Sequence, residues 1–331
     1  MSKDSPILLM GAGSIGERHI RNLWQFGYNN ISVFRQRNLP FRDIGDAKVR
    51  VLLDWEDVKN KNFRCAFICT PTSQHLDQAL LCINENMHVF VEKPLSHNLD
   101  KFEELEAALQ NKEIYFHVGY MLHFHPFLKQ VKQWTLDETF GKLKTFETTW
   151  HSYLPDWHPW ENYKTSYAAR PEMGGGAALT LCHDVELMQW ICGTVKQHET
   201  KLYYCKDLAL EVDTGADVAL QFDNVAGVCF ISFCSKQEKR EYNFSFQHAE
   251  IKIDYLKNEM KIKQENGLEM KTLPEFERNK MYIEQLKEFF TTLEKKQYSN
   301  VGNMKSLQKE EELIKICSPQ FANKPVKNME V

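Results

Sequence analysis

Short apolar runs recur through the first third of the chain, at residues 7–10, 31–34, 66–69, 88–91 and 115–118, and stretches of helical spacing lie between them at 17–26, 75–85 and 99–109. Near-continuous apolar runs predict strands buried on both faces, and their alternation with amphipathic segments predicts a doubly wound parallel sheet with right-handed crossovers. This rhythm ends near Gly119, so residues 1–120 are expected to form one domain. After a helical stretch at 126–134, period-two strands follow at 143–150, 201–205, 218–222, 227–233, 242–246 and 251–255, which predicts a largely antiparallel sheet. A helix at 177–192 interrupts them, and helices at 280–293 and 306–316 close the chain. The expected fold class is α/β, with residues 121–331 forming a second domain for substrate binding and oligomerisation.

Composition narrows the partners. The chain has 331 residues, 43% of them hydrophobic, which is enough for two domains with large cores. A formal charge of -4 gives no global attraction to nucleic acid or to an anionic membrane, so the expected partner is a small molecule. No apolar run approaches the roughly 20 residues of a membrane span, and Met-Ser-Lys-Asp-Ser-Pro lacks the apolar core of a signal peptide; a cytoplasmic location is expected. Nine cysteines, with no Cys-x-x-Cys pair, read as reduced thiols.

The most informative local motif follows the first apolar run. Gly11, Gly13 and Gly16, with Ser14 and Ile15 between the last two, form G-x-G-x-x-G between a strand and a helix. In that context the first glycine permits the tight turn, the second admits a pyrophosphate and the third lets helix and strand pack closely. The alternative is a strand-to-helix turn that needs glycine for itself alone. At the end of the second strand, where an NAD site commonly has an acid, the chain has Arg35 and Arg37. Guanidinium groups there suit a 2′-phosphate, so NADP(H) is expected in preference to NAD(H), unless both arginines are solvated loop residues.

Further motifs are spread along the chain: Thr70-Pro71 with His75, Glu92-Lys93-Pro94, Gly119-Tyr120 with His123, Phe124 and Pro126, and Gly174-Gly175-Gly176 followed by His183, Trp190 and Gly193. Together with the glycine turn and its Arg18-His19, they resemble the Gfo/Idh/MocA oxidoreductases. That resemblance implies a Rossmann domain followed by an α/β domain with an open, mostly antiparallel sheet. A broad sheet with helices on one face leaves its other face free to pack against a second subunit, so a homodimer or homotetramer is expected. The resemblance also implies cofactor contacts from Thr70, Pro71, His75, Glu92 and Lys93, and places Lys93 and His183 near the nicotinamide as the catalytic pair. A lysine beside the oxidised ring feels positive charge and desolvation, which lower its pKa and suit it to exchange a proton with a substrate hydroxyl. An imidazole at His183 is suited to share or relay that proton.

Two departures from the family pattern stand out. Its Asp four residues before the histidine is replaced by Leu179, or by Thr180 when counted from the glycines, in a short form similar to a subgroup associated with surface-glycan and sugar-nucleotide pathways. Asp184 and Glu186 are the nearest carboxylates; Glu186, three residues after His183, is either the group that orients it or a solvated charge. His123 stands where the family usually has Arg, so a bidentate anion contact is not expected there, and no third ligand at a metal spacing accompanies His123 and His125. On the substrate side, residues 150–160 contain three tryptophans; Trp157 and His158 suit a sugar ring, or else the segment anchors domain contacts. Arg170 either meets a substrate anion or forms a surface salt bridge. The expected reaction is hydride transfer between the nicotinamide and a hydroxyl or ketone carbon of a sugar or sugar derivative. The alternatives are reduction of a non-sugar carbonyl or imine, and a cofactor-binding regulator without turnover.

Overall fold

Residues Ile7–Met10, all apolar, form the fully buried strand β1 in the computed structural model, which describes residues 1–45, 49–59, 61–322 and the backbone of 326–327. A strand apolar on both faces needs helices over both faces, and the chain supplies them in turn. After β1 come α1 (Ser14–Gln25), β2 (Ile31–Phe34), β3 (Arg50–Leu52), α2 (Glu56–Lys59), β4 (Cys65–Ile68), α3 (His75–Asn84), β5 (His88–Glu92), α4 (Phe102–Gln110) and β6 (Phe116–Gly119). Among the described residues these strands make one parallel sheet in the order β3-β2-β1-β4-β5-β6. The order reverses between β1 and β4, and the crevice at the carboxyl ends of those strands is where such sheets bind ligands. The short edge strand β3, which begins with exposed Arg50, has no apolar run to announce it.

The second sheet is built from longer strands. Helix α5 (Pro126–Leu136) precedes β7 (Leu143–Tyr153), and the helical segment beyond it is broken at Leu181–Cys182 into α6 (Ala177–Thr180) and α7 (His183–Cys192). Strands β8 (Gln197–Tyr204), β9 (Gly215–Gln221), β10 (Ala226–Ser232), β11 (Cys234–Phe246), β12 (Glu250–Asp254), β13 (Glu259–Gln264) and β14 (Gly267–Thr272) follow. Helices α8 (Asn279–Glu294) and α9 (Asn300–Cys317) lead to the short β15 (Val326–Lys327). The described strands are ordered β14-β13-β12-β11-β7-β10-β9-β8-β15; β7 with β10 and β8 with β15 are parallel and the other pairs antiparallel. The edge hairpin β13–β14 was not expected from sequence: β14 buries no residue, and β13 buries only Met260 and Ile262.

The chain divides into two units, Met1–Tyr120 with Tyr282–Glu311, and Met121–Met281 with Glu312–Val331. Sequence spacing had assigned all of 121–331 to the second domain; residues 282–311 instead belong to the first unit. The reason is apolar: Leu286, Phe289, Phe290 and Leu293 of α8 are buried in its core. The Phe289 ring meets Phe67 and Phe90 edge-on at 5.5 and 5.6 Å and stacks with Tyr115 at 5.2 Å. An amphipathic helix is drawn to whichever sheet face lacks cover, and its sequence does not say which. Among the described residues no helix is long and apolar enough to cross a membrane.

Two histidines are kept neutral by the fold. Burial and Arg64 push His88 in the first unit down from 6.5 to about 4, while burial and Arg240 push His125 in the second down to about 3. The unfolded chain takes up these protons near pH 6.5 and the native chain does not, so their stabilising contribution is complete above 6.5 and is lost as pH falls toward 4 and 3. Thermal melts followed by circular dichroism should show Tm falling on acidification through this window, and His125→Leu should reduce the slope. An unchanged slope in that variant would show that His125 is not a source of the acid sensitivity.

Candidate active site

The glycine turn is shaped by backbone approach. Gly11 has φ +86, and a Cβ there would lie 2.9 Å from the backbone of Cys69 and 2.8 Å from Thr70 Cγ2. A Cβ on Gly16 would stand 2.2 Å from the Gly11 carbonyl oxygen, so α1 meets the end of β1 at a distance only glycine allows. A Cβ on Gly13, in contrast, would meet nothing within 4 Å. Gly13 caps the twelve-residue helix α1, whose first residues are Ser14 and Ile15, and so fronts open space at a helix N-terminus. That combination fits a dinucleotide pyrophosphate: fold accounts for two of the glycines, and the third leaves room where an anion is favoured.

Around this turn the loops are tied down by polar contacts. The buried Glu17 carboxylate accepts from the backbone N–H groups of Arg42 and Asp43 at 2.8 and 2.6 Å, holding the segment after β2 against α1. In that segment the Arg35 guanidinium donates to Asn38 Oδ1 at 2.9 Å and packs over the Phe41 ring at 4.3 Å, whereas Arg37 is exposed. Beyond β4, the Thr70 hydroxyl donates to Gln78 Oε1 at 2.7 Å, and Pro71 opens the turn into α3. A cavity of about 560 Å³ lies at the opposite ends of the strands, near Pro6, Ile31 and Arg50, away from the glycine turn.

Lys93 follows directly on β5 and forms a cis peptide with Pro94. Its flanks are fixed from below. His19 of α1 donates through Nε2 to Glu92 Oε1 at 2.7 Å, with both residues buried. Burial pushes the Glu92 carboxyl up, but the His19 bond and the charges at His19 and Lys93 outweigh it and hold the group below its ordinary range. His75 is also buried, its Nδ1 2.9 Å from the Pro94 carbonyl oxygen and its Nε2 2.8 Å from that of Thr70. Sequence had put His75 and Glu92 among the cofactor contacts. The structure shows both His75 ring nitrogens and Glu92 Oε1 engaged in the wall that carries Lys93 and Thr70.

In the second unit, the glycine run lets α6 start in a crowded place. A Cβ on Gly175 would meet the Tyr167 and Ala168 carbonyl oxygens at 2.6 and 2.7 Å, and one on Gly176 would lie 2.2 Å from Asp213 Oδ1. Asp213 Oδ2 accepts from the Ala178 N–H at 2.8 Å, and burial pushes its carboxyl up to about 7. Thr180 ends α6 and His183 opens α7, both buried. The His183 imidazole stacks with Trp150 of β7, with centroids 5.6 Å apart and planes at 29°. Glu186 is turned to His123, whose Nε2 lies 2.9 Å from each carboxylate oxygen and whose ring stacks on Trp190 at 4.4 Å. The carboxylate considered for orienting His183 is therefore committed to the histidine that replaces the family's arginine.

Next along α7, Asp184 accepts from the Tyr242 hydroxyl at 3.0 Å, and that hydroxyl in turn accepts from Arg240 Nε at 3.0 Å. Burial pushes the Asp184 carboxyl up, with Arg240 and Tyr242 opposing the rise. Neither Arg240 nor Tyr242 was singled out from sequence. The signal was present in β11, where Arg240 falls in step with the buried Tyr242, Phe244 and Phe246. Of the remaining substrate-side candidates, Trp157 meets Phe233 edge-on at 5.1 Å and His158 meets Trp160 at 5.3 Å. Arg170 donates to Glu172 at 2.6 Å on the surface. Among the described residues no three His, Cys, Asp or Glu side chains gather as metal ligands would.

A parallel sheet in the order 3-2-1-4-5-6, with a glycine turn open at a helix N-terminus, defines a dinucleotide-binding unit, here followed by a unit built on a mostly antiparallel sheet. Residues 6–120 match the Gfo/Idh/MocA oxidoreductase family with its NAD-binding Rossmann fold, and residues 128–252 match the C-terminal domain of the same family. The chain belongs to the Gfo/Idh/MocA oxidoreductases. It is 24% identical over 250 residues, 68% of its length, to the uncharacterized oxidoreductase YrbE of Bacillus subtilis (strain 168), of which the match covers 66%. The chain spans 66%, 39% and 54% of the length of three curated relatives it matches. Among solved structures, levoglucosan dehydrogenase in complex with NADH and levoglucosan superposes with a TM-score of 0.79 at 14% identity, covering 95% of each chain. KijD10, a 3-ketoreductase from Actinomadura kijaniata in complex with NADP and TDP-benzene, does so with a TM-score of 0.79 at 13% identity, covering 98% of this chain and 100% of that one.

The glycine geometry separates folding from binding. Gly13→Asp, which keeps a favourable helix cap while placing a carboxylate where the pyrophosphate would sit, should leave Tm near that of the parent yet weaken NADPH binding at least about tenfold, or ~1.4 kcal/mol, as read by nucleotide fluorescence titration. Gly16→Ala should lower stability by about 1–3 kcal/mol through overpacking against Gly11, as read by denaturant titration. Equal effects of the two variants on both readouts would show that the turn does not divide these tasks.

Proposed function

We propose that this protein is an NADP(H)-dependent oxidoreductase that interconverts a hydroxyl and a ketone on a sugar or sugar derivative. The observation that carries the reading is the glycine turn, with Gly13 fronting open space in the same unit whose β5 delivers Lys93 on a loop fixed by His19, Glu92 and His75. When bound, the nicotinamide supplies the hydride acceptor or donor. Lys93 takes the hydroxyl proton as the substrate carbon gives up its hydride, and returns it in the reverse direction. His183 shares or relays that proton. The segment containing Trp157 and His158 offers aromatic faces and polar atoms suited to a sugar ring. The names of two superposing structures, a levoglucosan dehydrogenase and a 3-ketoreductase, support a sugar derivative and hydroxyl–ketone chemistry.

A second reading, a cofactor-binding regulator, draws on Thr180, which cannot carry a charge beside His183. The two are separated by a panel of sugars, sugar acids and nucleotide sugars followed at the NADPH absorbance band. Turnover of one class, with kcat reduced by two or more orders of magnitude in Lys93→Ala at unchanged Tm, is expected for the enzyme. Binding without turnover across the panel would favour the regulator, and near-normal turnover by the alanine variant would remove Lys93 from the mechanism.

The NADP(H) preference is assigned to Arg35, held ready by Asn38 and Phe41, with Arg37 beside it. KM should be lower for NADPH than for NADH, and Arg35→Ala should raise the NADPH value selectively. A clear NADH preference in the parent protein overturns the assignment.

A homodimer or homotetramer is proposed through the open face of the second sheet. In β10, Cys229 and Ile231 are buried on one side while Val228 and Phe230 on the other are only half-buried, and an apolar sheet face calls for cover. Sedimentation should give a mass at least twice the 38.9 kDa of one chain at micromolar concentration. A monomer mass would refute the proposal.

A further inference from the structure

Behind His183 lies a charge that the reaction outlined above does not use. Arg240 of β11 sits directly opposite Trp150 of β7 in the strand register, so the two side chains emerge on the same face of the sheet. The guanidinium carbon lies 3.7 Å from the centre of the Trp150 ring and 4.2 Å from that of Tyr255. The same Trp150 ring stacks with the His183 imidazole. Arg240 is 4% exposed, and its charge is balanced within the unit: Nε donates to the Tyr242 hydroxyl, that hydroxyl donates to Asp184 Oδ1, and Nη2 lies 3.9 Å from the same oxygen.

We propose that Arg240 is a positioning residue for His183, gripping the histidine at two points: its ring through Trp150, and its backbone through Asp184, the next residue in the chain. The functional weight of this arrangement rests on the role given to His183 under Proposed function; the arrangement itself does not. Stacking alone leaves an aromatic pair free to slide, since offset geometries are close in energy. A guanidinium packed against the indole and fixed by hydrogen bonding removes that freedom. Holding a charge pair at this depth also costs desolvation that apolar residues of similar volume would avoid, so stability alone is a poor reason for it. Glu186 is bonded to His123, while Trp150 stacks with the His183 ring and Asp184, the next residue in the chain, is held by Tyr242.

The test reads the histidine ring itself in the full chain, labelled with carbon-13 at histidine Cε1. The His183 cross-peak is assigned by its loss in His183→Gln, and the buried His19 of the first unit serves as the folding control. Trp150→Leu removes the ring current and should move the His183 peak. The double variant Arg240→Met with Asp184→Asn removes both charges together, leaving none unpaired, and should move the peak in the same direction with the His19 peak in place. Arg240→Lys keeps the charge but loses the planar fork, and should give an intermediate position; if the double variant does not fold, this substitution decides the matter. A His183 peak unmoved in the charge variants while Trp150→Leu shifts it would show the pair to be structural only, and a peak unmoved by Trp150→Leu would deny the stack. For a substrate found in the panel, the charge variants should lower kcat about tenfold with little change in the cofactor KM. Full turnover in His183→Gln would remove the catalytic role of His183 while leaving the peak shifts, so the two ideas fail separately.

Discussion

The first unit depends on how near helix α1 comes to the carbonyl of Gly11. A single methyl on Gly16 would lie 2.2 Å from that oxygen, so the crossing exists only because neither side has a side chain in the gap. This approach sets the direction of α1, and with it the orientation of the N–H groups at its start. It also brings Glu17 to the backbone of Arg42 and Asp43 and His19 to Glu92, two contacts that fix the loops on either side of the turn. Cofactor geometry and core packing thus share one constraint: residues that would bind an anion are placed by residues that could not pack otherwise.

The second unit solves a different problem, the placing of polar groups inside an apolar interior. Asp213 receives the start of α6, Asp184 receives Tyr242, and Glu186 receives His123, so each buried carboxylate has at least one donor. Such groups are costly to bury without partners and strongly directional once they have them. They tie down the helices on either side of the break at Leu181–Cys182, where His183 begins α7. The glycine run preceding α6 serves the same end, since any side chain at Gly175 or Gly176 would collide with backbone or with Asp213.

Much of the fold was legible because it is written in local periods. Strands β1 and β2 were bounded correctly from their apolar runs, and the glycine turn was placed by its position between a strand and a helix. Elements whose apolar signal is weak were missed: β3 has three residues with an exposed arginine, and β14 has no buried residue. Helix α8 was seen as a helix and assigned to the wrong unit, because an apolar stripe specifies that a surface must be covered but not which one. Motifs singled out Lys93 in the first unit and His183 in the second, while His19, which bonds Glu92 beside Lys93, and Trp150, which stacks with His183, had been given no such part.

By itself, the sequence determined the glycine turn and the strands and helices whose apolar periods are strong, since these follow from spacing and from the steric demands of single residues. Tertiary structure alone decided which polar groups meet. Tyr242 reaches Asp184 across 58 residues and His123 reaches Glu186 across 63, and no local rule links such pairs. Their pairing depends on strand register and on the break between α6 and α7, and a shift of one residue in either would turn those side chains to a different face.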